Sequence, residues 1–188
     1  ALEEAEQNND IRVIIITGAG KALSSGMDLN DDSGATTAHD SKKLTPEQEA
    51  LQKMTTLQYA FTMKKPVIVA INGAAVGMGI TTFLPFDIRI ASESARIGFV
   101  FTRRGIVPEI GSPWLLPRII GLSKAAELLY SGRIINAQEA LECGLVSRVV
   151  PDTQLMTEAR KLAEEIAGSS PTGVALTKSM ILQFLFET

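Results

Sequence analysis

Two short apolar runs, each ending at a glycine-containing turn, constrain the fold of this chain most. Arg12 to Thr17 reads RVIIIT and is followed by Gly18-Ala19-Gly20, whereas Pro66 to Asn72 reads PVIVAIN and is followed by GAAVGMG. β-Branched runs of this length, bounded by glycine, are typical of buried strands in a parallel sheet. The second turn is predicted to open a helix of sequence ITTFLPF. The chain is therefore expected to alternate buried strands with glycine turns and helices.

Further strands and helices follow the same alternation. Additional strands are predicted at Asp87 to Ala91, at Ala95 to Phe99 and in LVSRVV. Helices are predicted from Thr45 to about Met63, in GLSKAAELLYSG and in NAQEALECG. The last of these is expected to begin at Asn136 as its cap and to stop at Gly144. Two more helices are predicted after Asp152, separated by Ser169-Ser170-Pro171. This order predicts an α/β fold with parallel strand pairing.

Composition excludes several classes of protein and site. Apolar residues make up 45% and charged residues 21% of the 188 residues, as in an ordinary globular domain. The net charge of -3 and the absence of a Lys/Arg block argue against a nucleic-acid partner. No apolar run reaches membrane-spanning length. The single Cys143 excludes an internal disulfide and a cysteine metal cluster, so no metal is expected. The missing initiating Met and the uncapped apolar end predict a piece of a longer chain.

The two glycine turns also carry the first indication of chemistry. They are Ser24-Ser25-Gly26-Met27-Asp28 and Gly77-Met78-Gly79. Backbone N–H groups at a helix start have no partner within the helix, and glycine lets a ligand approach the backbone closely. Two such turns facing one point would form an oxyanion hole. From these residues alone, two ordinary strand-to-helix turns are the favoured reading and an oxyanion hole is the alternative. Neither turn has the spacing of a phosphate-binding loop.

Four segments in order resemble the crotonase (enoyl-CoA hydratase/isomerase) superfamily. They are ITGAGKALSSGMDL, KKPVIVAINGAAVGMGITTFLPFDIRIASESARIGF, GIVPEIGSPWLLPRIIG and LYSGRIINAQEALECGLVSRVVP. The resemblance implies a crotonase-like spiral of ββα units over residues 1–151 and the start of a helical trimerisation region over residues 152–188. It also implies a coenzyme A thioester as substrate, no permanently bound cofactor, and a homotrimer or dimer of trimers. The expected location is the cytoplasm, or the mitochondrion or peroxisome in a eukaryote.

The resemblance assigns roles to individual residues of the two turns. By motif, the backbone amides of Met27 and Met78 form the oxyanion hole, next to Gly26 and Gly77. Ser25 is expected where the backbone meets the adenine of coenzyme A. In each case the amide matters rather than the side chain.

Three more positions are expected around the acyl group. Hydratases of the family carry glutamates at two positions that are Thr81 and Phe101 in this chain, which argues against water addition that needs two carboxylates. These two residues are expected to contact the substrate in their place. Trp114 is interpreted as a core residue or a wall of the acyl pocket.

Glu109 is the acid that remains. The segment Val107-Pro108-Glu109-Ile110-Gly111 resembles the P-(Asp/Glu)-x-G segment of enoyl-CoA isomerases, in which the acid is the single base. Because its neighbours in sequence are apolar, the carboxylate is expected to be partly desolvated. The resemblance therefore predicts an isomerase that moves a 3-enoyl double bond to the 2 position. Hydration, another crotonase reaction, and a catalytically silent subunit that binds coenzyme A are the alternatives.

Overall fold

The computed structural model of the protein describes residues 1–26 and 56–186. Its strands are β1 (Ile14–Thr17), β2 (Ala22–Ser24), β3 (Val67–Ile71), β4 (Ala74–Val76), β5 (Ile88–Ser92), β6 (Arg96–Gly98), β7 (Ile134–Asn136) and β8 (Arg148–Val150). Its helices are α1 (Leu2–Gln7), α2 (Thr56–Thr62), α3 (Met78–Thr81), α4 (Ser112–Ile120), α5 (Leu122–Ser131), α6 (Ala137–Glu142), α7 (Leu155–Ala167) and α8 (Pro171–Phe186), with 3-10 turns at Thr102–Arg104 and Asp152–Gln154.

The first sheet contains the long apolar runs and is parallel throughout. Its strand order is β1-β3-β5-β8. Ile14 pairs with Val67, and Ile68 pairs with Ile88. The apolar runs that begin at Arg12 and Pro66 therefore form neighbouring strands. The predicted α/β class with parallel pairing is confirmed.

The second sheet is built from shorter strands in the order β2-β4-β6-β7. The first three are parallel, and β7 runs antiparallel to β6. Each of β1, β3 and β5 is followed along the chain by a strand of this second sheet. The chain thus passes repeatedly from one sheet to the other, which is the succession of ββα units that the resemblance implied.

Two predictions about the second glycine segment are wrong. The segment Gly73 to Gly79 was expected to be one turn, but β4 occupies three of its residues and pairs with β2 and β6. The helix expected over ITTFLPF is only the four residues of α3, because Pro85 follows closely and the chain breaks into turns before β5.

The core lies on both faces of β3. All five of its residues are fully buried. Ile68 and Ala70 pack with Leu155 and Ala159 of α7, whereas the alternate residues face a larger cluster that extends to the second sheet. Since side chains alternate across a strand, a strand covered on both faces has to be apolar throughout.

Several local signals in the C-terminal half predicted the structure correctly. Asn136 caps α6, and its side chain accepts a hydrogen bond from the Glu139 N–H at 2.8 Å. Gly132 ends α5 in the left-handed conformation at φ 57°. The two last helices are separated at Ser169-Ser170, as predicted. The predicted start of α2 at Thr45 lies outside the described residues, and the predicted domain boundary at 151 stays a prediction. Within residues 1–26 and 56–186, no helix has both the length and the apolar character needed to cross a bilayer.

Candidate active site

The two glycine turns lie directly against each other. A Cβ added to Gly79 would stand 2.1 Å from the Ser24 carbonyl oxygen and 3.0 Å from the Gly26 nitrogen. A Cβ added to Gly26, which has φ 86°, would stand 2.8 Å from the Val76 carbonyl oxygen. No side chain fits between the turns, so glycine is required for this contact. The pairing of β2 with β4 carries both turns to one end of the second sheet.

The backbone at Met78 offers a hydrogen-bond donor that no described residue accepts. Gly77 has φ 58° and ψ -127°, and its carbonyl accepts hydrogen bonds from the N–H groups of Ile80 and Thr81. The N–H of Met78 donates to no residue among 1–26 and 56–186. Met78 is only partly buried. An unpaired amide at the first position of a helix is the arrangement that an anionic oxygen needs.

The first turn is described only in part. Ser25 is exposed, and the Gly26 N–H donates to the Ser24 hydroxyl at 3.3 Å. Met27, the second predicted amide donor, lies outside the described residues. The structure therefore describes Met78, one of the two predicted donors, and Gly26, the residue that immediately precedes the other.

Asn72 holds the neighbouring Gly18–Gly20 turn and was missed by sequence reasoning. Its side-chain amide donates to the carbonyl oxygens of Gly18 at 3.0 Å and Gly20 at 2.9 Å, and its Oδ1 accepts from the Gly18 N–H at 3.2 Å. The signal that could have identified it is a polar residue at the end of a wholly apolar strand, immediately before Gly73.

Thr81 and Phe101 lie in the core rather than at an exposed surface. Thr81 is 0% exposed, and its hydroxyl faces the Gly77 carbonyl oxygen at 3.4 Å. Phe101 is 5% exposed and follows Val100, whose Cγ2 would stand 3.9 Å from a Cβ at Gly77. Both were predicted to contact the substrate, and that contact stays a prediction.

Glu109 is exposed, which contradicts the expected desolvation of its carboxylate. It lies in the loop between the Thr102–Arg104 turn and α4, where Ile106 and Val107 are 47% and 77% exposed. The carboxylate makes no hydrogen bond or ion pair with residues 1–26 or 56–186. Apolar neighbours in sequence did not produce burial, because Ile106 and Val107 are themselves exposed and do not cover the carboxylate.

Trp114 of α4 connects this loop region to α2. Its ring packs edge-on against Phe61 with centroids 6.5 Å apart, and the Arg118 guanidinium lies 4.2 Å from its centroid. The residue is partly buried, so packing between helices is its observed role. Its predicted contact with an acyl group stays a prediction.

Other polar groups and cavities lie away from the glycine turns. Burial lowers the pKa of Arg89 to about 10 against the opposing effect of Asp87, and its guanidinium donates to carbonyl oxygens between β5 and α3 and to that of Leu145. A groove of about 720 Å³ lies beside α8, and neither Met78 nor Glu109 lines it. Among the described residues, no cluster of His, Cys, Asp or Glu could hold a metal ion.

Comparisons with known proteins give the family. A family model described as enoyl-CoA hydratase/isomerase matches residues 1–184. A probable enoyl-CoA hydratase of Mycobacterium bovis is 40% identical over 183 residues, which cover 95% of this chain and 63% of that protein. The 1,2-epoxyphenylacetyl-CoA isomerase of Escherichia coli is 36% identical over 96% of this chain and 68% of its own length.

A solved structure agrees with the sequence matches. The crystal structure of an enoyl-CoA hydratase/isomerase from Pseudoalteromonas atlantica superposes with a TM-score of 0.82 and 36% identity, over 97% of this chain and 69% of that one. The chain thus spans about two thirds of the length of these relatives and shares the fold of the solved structure. It belongs to the enoyl-CoA hydratase/isomerase family.

Proposed function

We propose that the full protein isomerises an enoyl-CoA, moving a double bond from the 3 to the 2 position of the acyl chain. The observation that carries the proposal is that only one of the carboxylate positions named by the family's motifs holds an acid in this chain. The two positions that hold glutamates in the family's hydratases are the buried, uncharged Thr81 and Phe101. Glu109 is the carboxylate that remains by motif. One base is enough for isomerisation, whereas hydration in this family uses two.

The proposed reaction needs one base and one set of hydrogen-bond donors. Glu109 removes a proton from C2, which is acidified by the thioester carbonyl, and the electron pair moves into a dienolate. The N–H of Met78, which is unpaired among the described residues, donates to the resulting oxyanion together with the amide of Met27. The protonated Glu109 then returns the proton to C4, so that the substrate gains and loses no atoms.

Hydration is the second candidate, and one structural observation favours it. The Glu109 side chain is exposed, so solvent reaches the carboxylate that would have to activate a water molecule. The relative from Mycobacterium bovis is named a probable hydratase, and the relative from Escherichia coli is named an isomerase. Both reactions pass through a thioester enolate, and the same amides would stabilise it.

The test supplies the full-length protein with a 3-enoyl-CoA and, separately, a 2-enoyl-CoA. Ultraviolet absorbance reports conjugation with the thioester, and mass spectrometry reports a gain of water. We expect conjugation of the 3-enoyl substrate without a change in mass. A gain of one water by the 2-enoyl substrate would favour hydration, and binding of either thioester without turnover would indicate a silent subunit.

The role of Glu109 is tested by Glu109→Gln. Removing the single base is expected to lower kcat by at least about 100-fold, since general base catalysis contributes about 10²–10⁴-fold. Glu93→Gln is the matched control, because Glu93 is exposed and lies beyond the end of β5. Isomerase activity that survives in Glu109→Gln at the level of the control would refute the proposed base.

A further inference from the structure

The backbone that carries Glu109 has an unusual conformation. Ile110 has φ 52° and is the only non-glycine residue with positive φ in residues 1–26 and 56–186. Gly111 follows with φ 66°. The left-handed region is strongly disfavoured for a β-branched residue, so the surrounding structure has to hold Ile110 there.

Ser112 provides that hold from inside the protein. Its side chain is 0% exposed, and its hydroxyl donates to the Glu109 carbonyl oxygen at 2.7 Å. The Ser112 N–H donates to the same oxygen at 3.0 Å. A buried hydroxyl that lost this acceptor would be left unsatisfied, which makes the contact costly to break. Two donors from one residue therefore fix the peptide group that follows the Glu109 Cα.

Ser112 is itself anchored by the helix that it begins. Leu115 and Leu116, in the first turns of α4, are 3% and 0% exposed. Gly111 packs on α2, since an added Cβ would stand 2.7 Å from the Leu57 Cδ2. The segment is thus held from the core on one side and from α2 on the other.

Nothing comparable holds the carboxylate of Glu109. It makes no hydrogen bond or ion pair with the described part of the chain. The backbone therefore sets the position of the Glu109 Cα and the region that the carboxylate can reach, and Ser112 holds that backbone. A misplacement of a reacting group by about 1 Å can cost about 10²-fold in rate.

We infer that Ser112 is a positioning residue, whose buried hydroxyl holds the Glu109 backbone so that the carboxylate reaches the substrate. The inference rests on the proposed function in taking Glu109 as the base. Ser112 does not touch the substrate, so its loss changes turnover rather than binding.

The experiment compares Ser112→Ala with the wild type in the full-length protein. We expect kcat for the double-bond shift to fall about 10- to 100-fold while KM changes less than about threefold. Ser112→Cys, which keeps a weak donor of similar size, is expected to lie between the two. Ser92→Ala is the control, because Ser92 is 1% exposed and its hydroxyl contacts the side chains of Ser94 and Asp152, which lie outside the segment that carries Glu109.

Hydrogen–deuterium exchange gives a readout that does not depend on turnover. Amides of the segment around Ile110 and Ser112 should exchange faster in Ser112→Ala than in Ser92→Ala. Unchanged exchange, or a wild-type kcat in Ser112→Ala, would overturn the inference. A wild type that turns over neither thioester would instead refute the proposed reaction. In that case, faster exchange in Ser112→Ala would still show that Ser112 stabilises the backbone at Glu109.

Discussion

Single glycines decide whether the two turns can meet. Gly79 has no space for a side chain, since an added Cβ would stand 2.1 Å from a backbone oxygen of the facing turn. In contrast, Gly173 at the start of α8 has no atom closer than 3.5 Å to its added Cβ. The same substitution therefore has opposite consequences at these two positions.

We expect Gly79→Ala to lower the free energy of unfolding by about 3 kcal/mol or more. Overpacking costs about 1–3 kcal/mol where neighbouring side chains can move, and here the neighbouring atom is the Ser24 carbonyl oxygen of the backbone. The turns would separate, so kcat should fall as well. Gly173→Ala is expected to be neutral or stabilising by about 0.5–1 kcal/mol, as for glycine replaced in a helix. Urea denaturation of both variants checks this, and equal midpoints would contradict the contact.

Residues that act by binding backbone groups from a buried or partly buried position were beyond sequence reasoning. Met78 and Glu109 were predicted as site residues because a motif names them, and their roles stay predictions. Ser112 was not predicted, because its role depends on its burial and on the conformation of Ile110. Asn72 likewise acts on a turn 52 to 54 residues away. The sequence identifies the polar residues, but it does not show which backbone groups their side chains hydrogen-bond.

At the scale of elements, capping residues correctly predicted where helices begin and end. Gly132 and Asn136 mark the end of α5 and the start of α6 as predicted. The strands β2, β4 and β7 were missed, since each has three residues and is defined only by its pairing. Short strands lack enough residues to display a period of two, so their existence depends on neighbours that the sequence does not identify.

Helix α8 is attached to the first sheet through a partly buried ion pair. The ammonium group of Lys178, which is 7% exposed, donates to Asp87 Oδ2 at 2.8 Å and to the Lys65 carbonyl oxygen at 2.9 Å. The same Asp87 oxygen accepts from the Val67 N–H at 2.8 Å. One carboxylate thus connects α8 to the first residue of β3.

We expect Lys178→Met to lower the free energy of unfolding by about 2–4 kcal/mol, somewhat less than for a fully buried pair, because the Asp87 carboxylate keeps some solvent contact. Lys161→Met, on the exposed side of α7, is the control and should stay within about 0.5 kcal/mol of the wild type. Chemical denaturation measures both. Equal destabilisation of the two variants would mean that α8 is held by apolar packing alone.

For the whole molecule, the fold and the family are established, whereas the assembly stays a prediction. Helix α8 exposes four large apolar side chains, namely Leu176, Met180, Ile181 and Phe184. Exposed apolar patches of this kind are typical of surfaces that associate. The homotrimer or dimer of trimers implied by the resemblance is consistent with that surface.

The stability of the whole molecule is expected to depend on pH through one ion-pair network. Glu139 of α6 accepts hydrogen bonds from Arg133 and from Lys124 of α5, and Arg133 also binds Glu127. Hydrogen bonds from Arg133 and then Lys124 lower the pKa of Glu139 from its ordinary value of 4.5 to about 2, and the pKa of Glu127 is also lowered. The network joins α5 to the segment that contains β7 and α6.

A depressed carboxylate pKa sets the direction of the pH effect. Between the ordinary pKa of 4.5 and the folded pKa of about 2, the unfolded chain binds a proton at Glu139 that the folded chain does not. The stabilisation is therefore complete above pH about 4.5 and is lost progressively as the pH falls towards 2. We expect Tm to fall less steeply from pH 5 to pH 3 in Glu139→Gln than in the wild type, with Glu93→Gln as control. Parallel Tm curves for the wild type and Glu139→Gln would show that the network contributes nothing to the acid sensitivity of the fold.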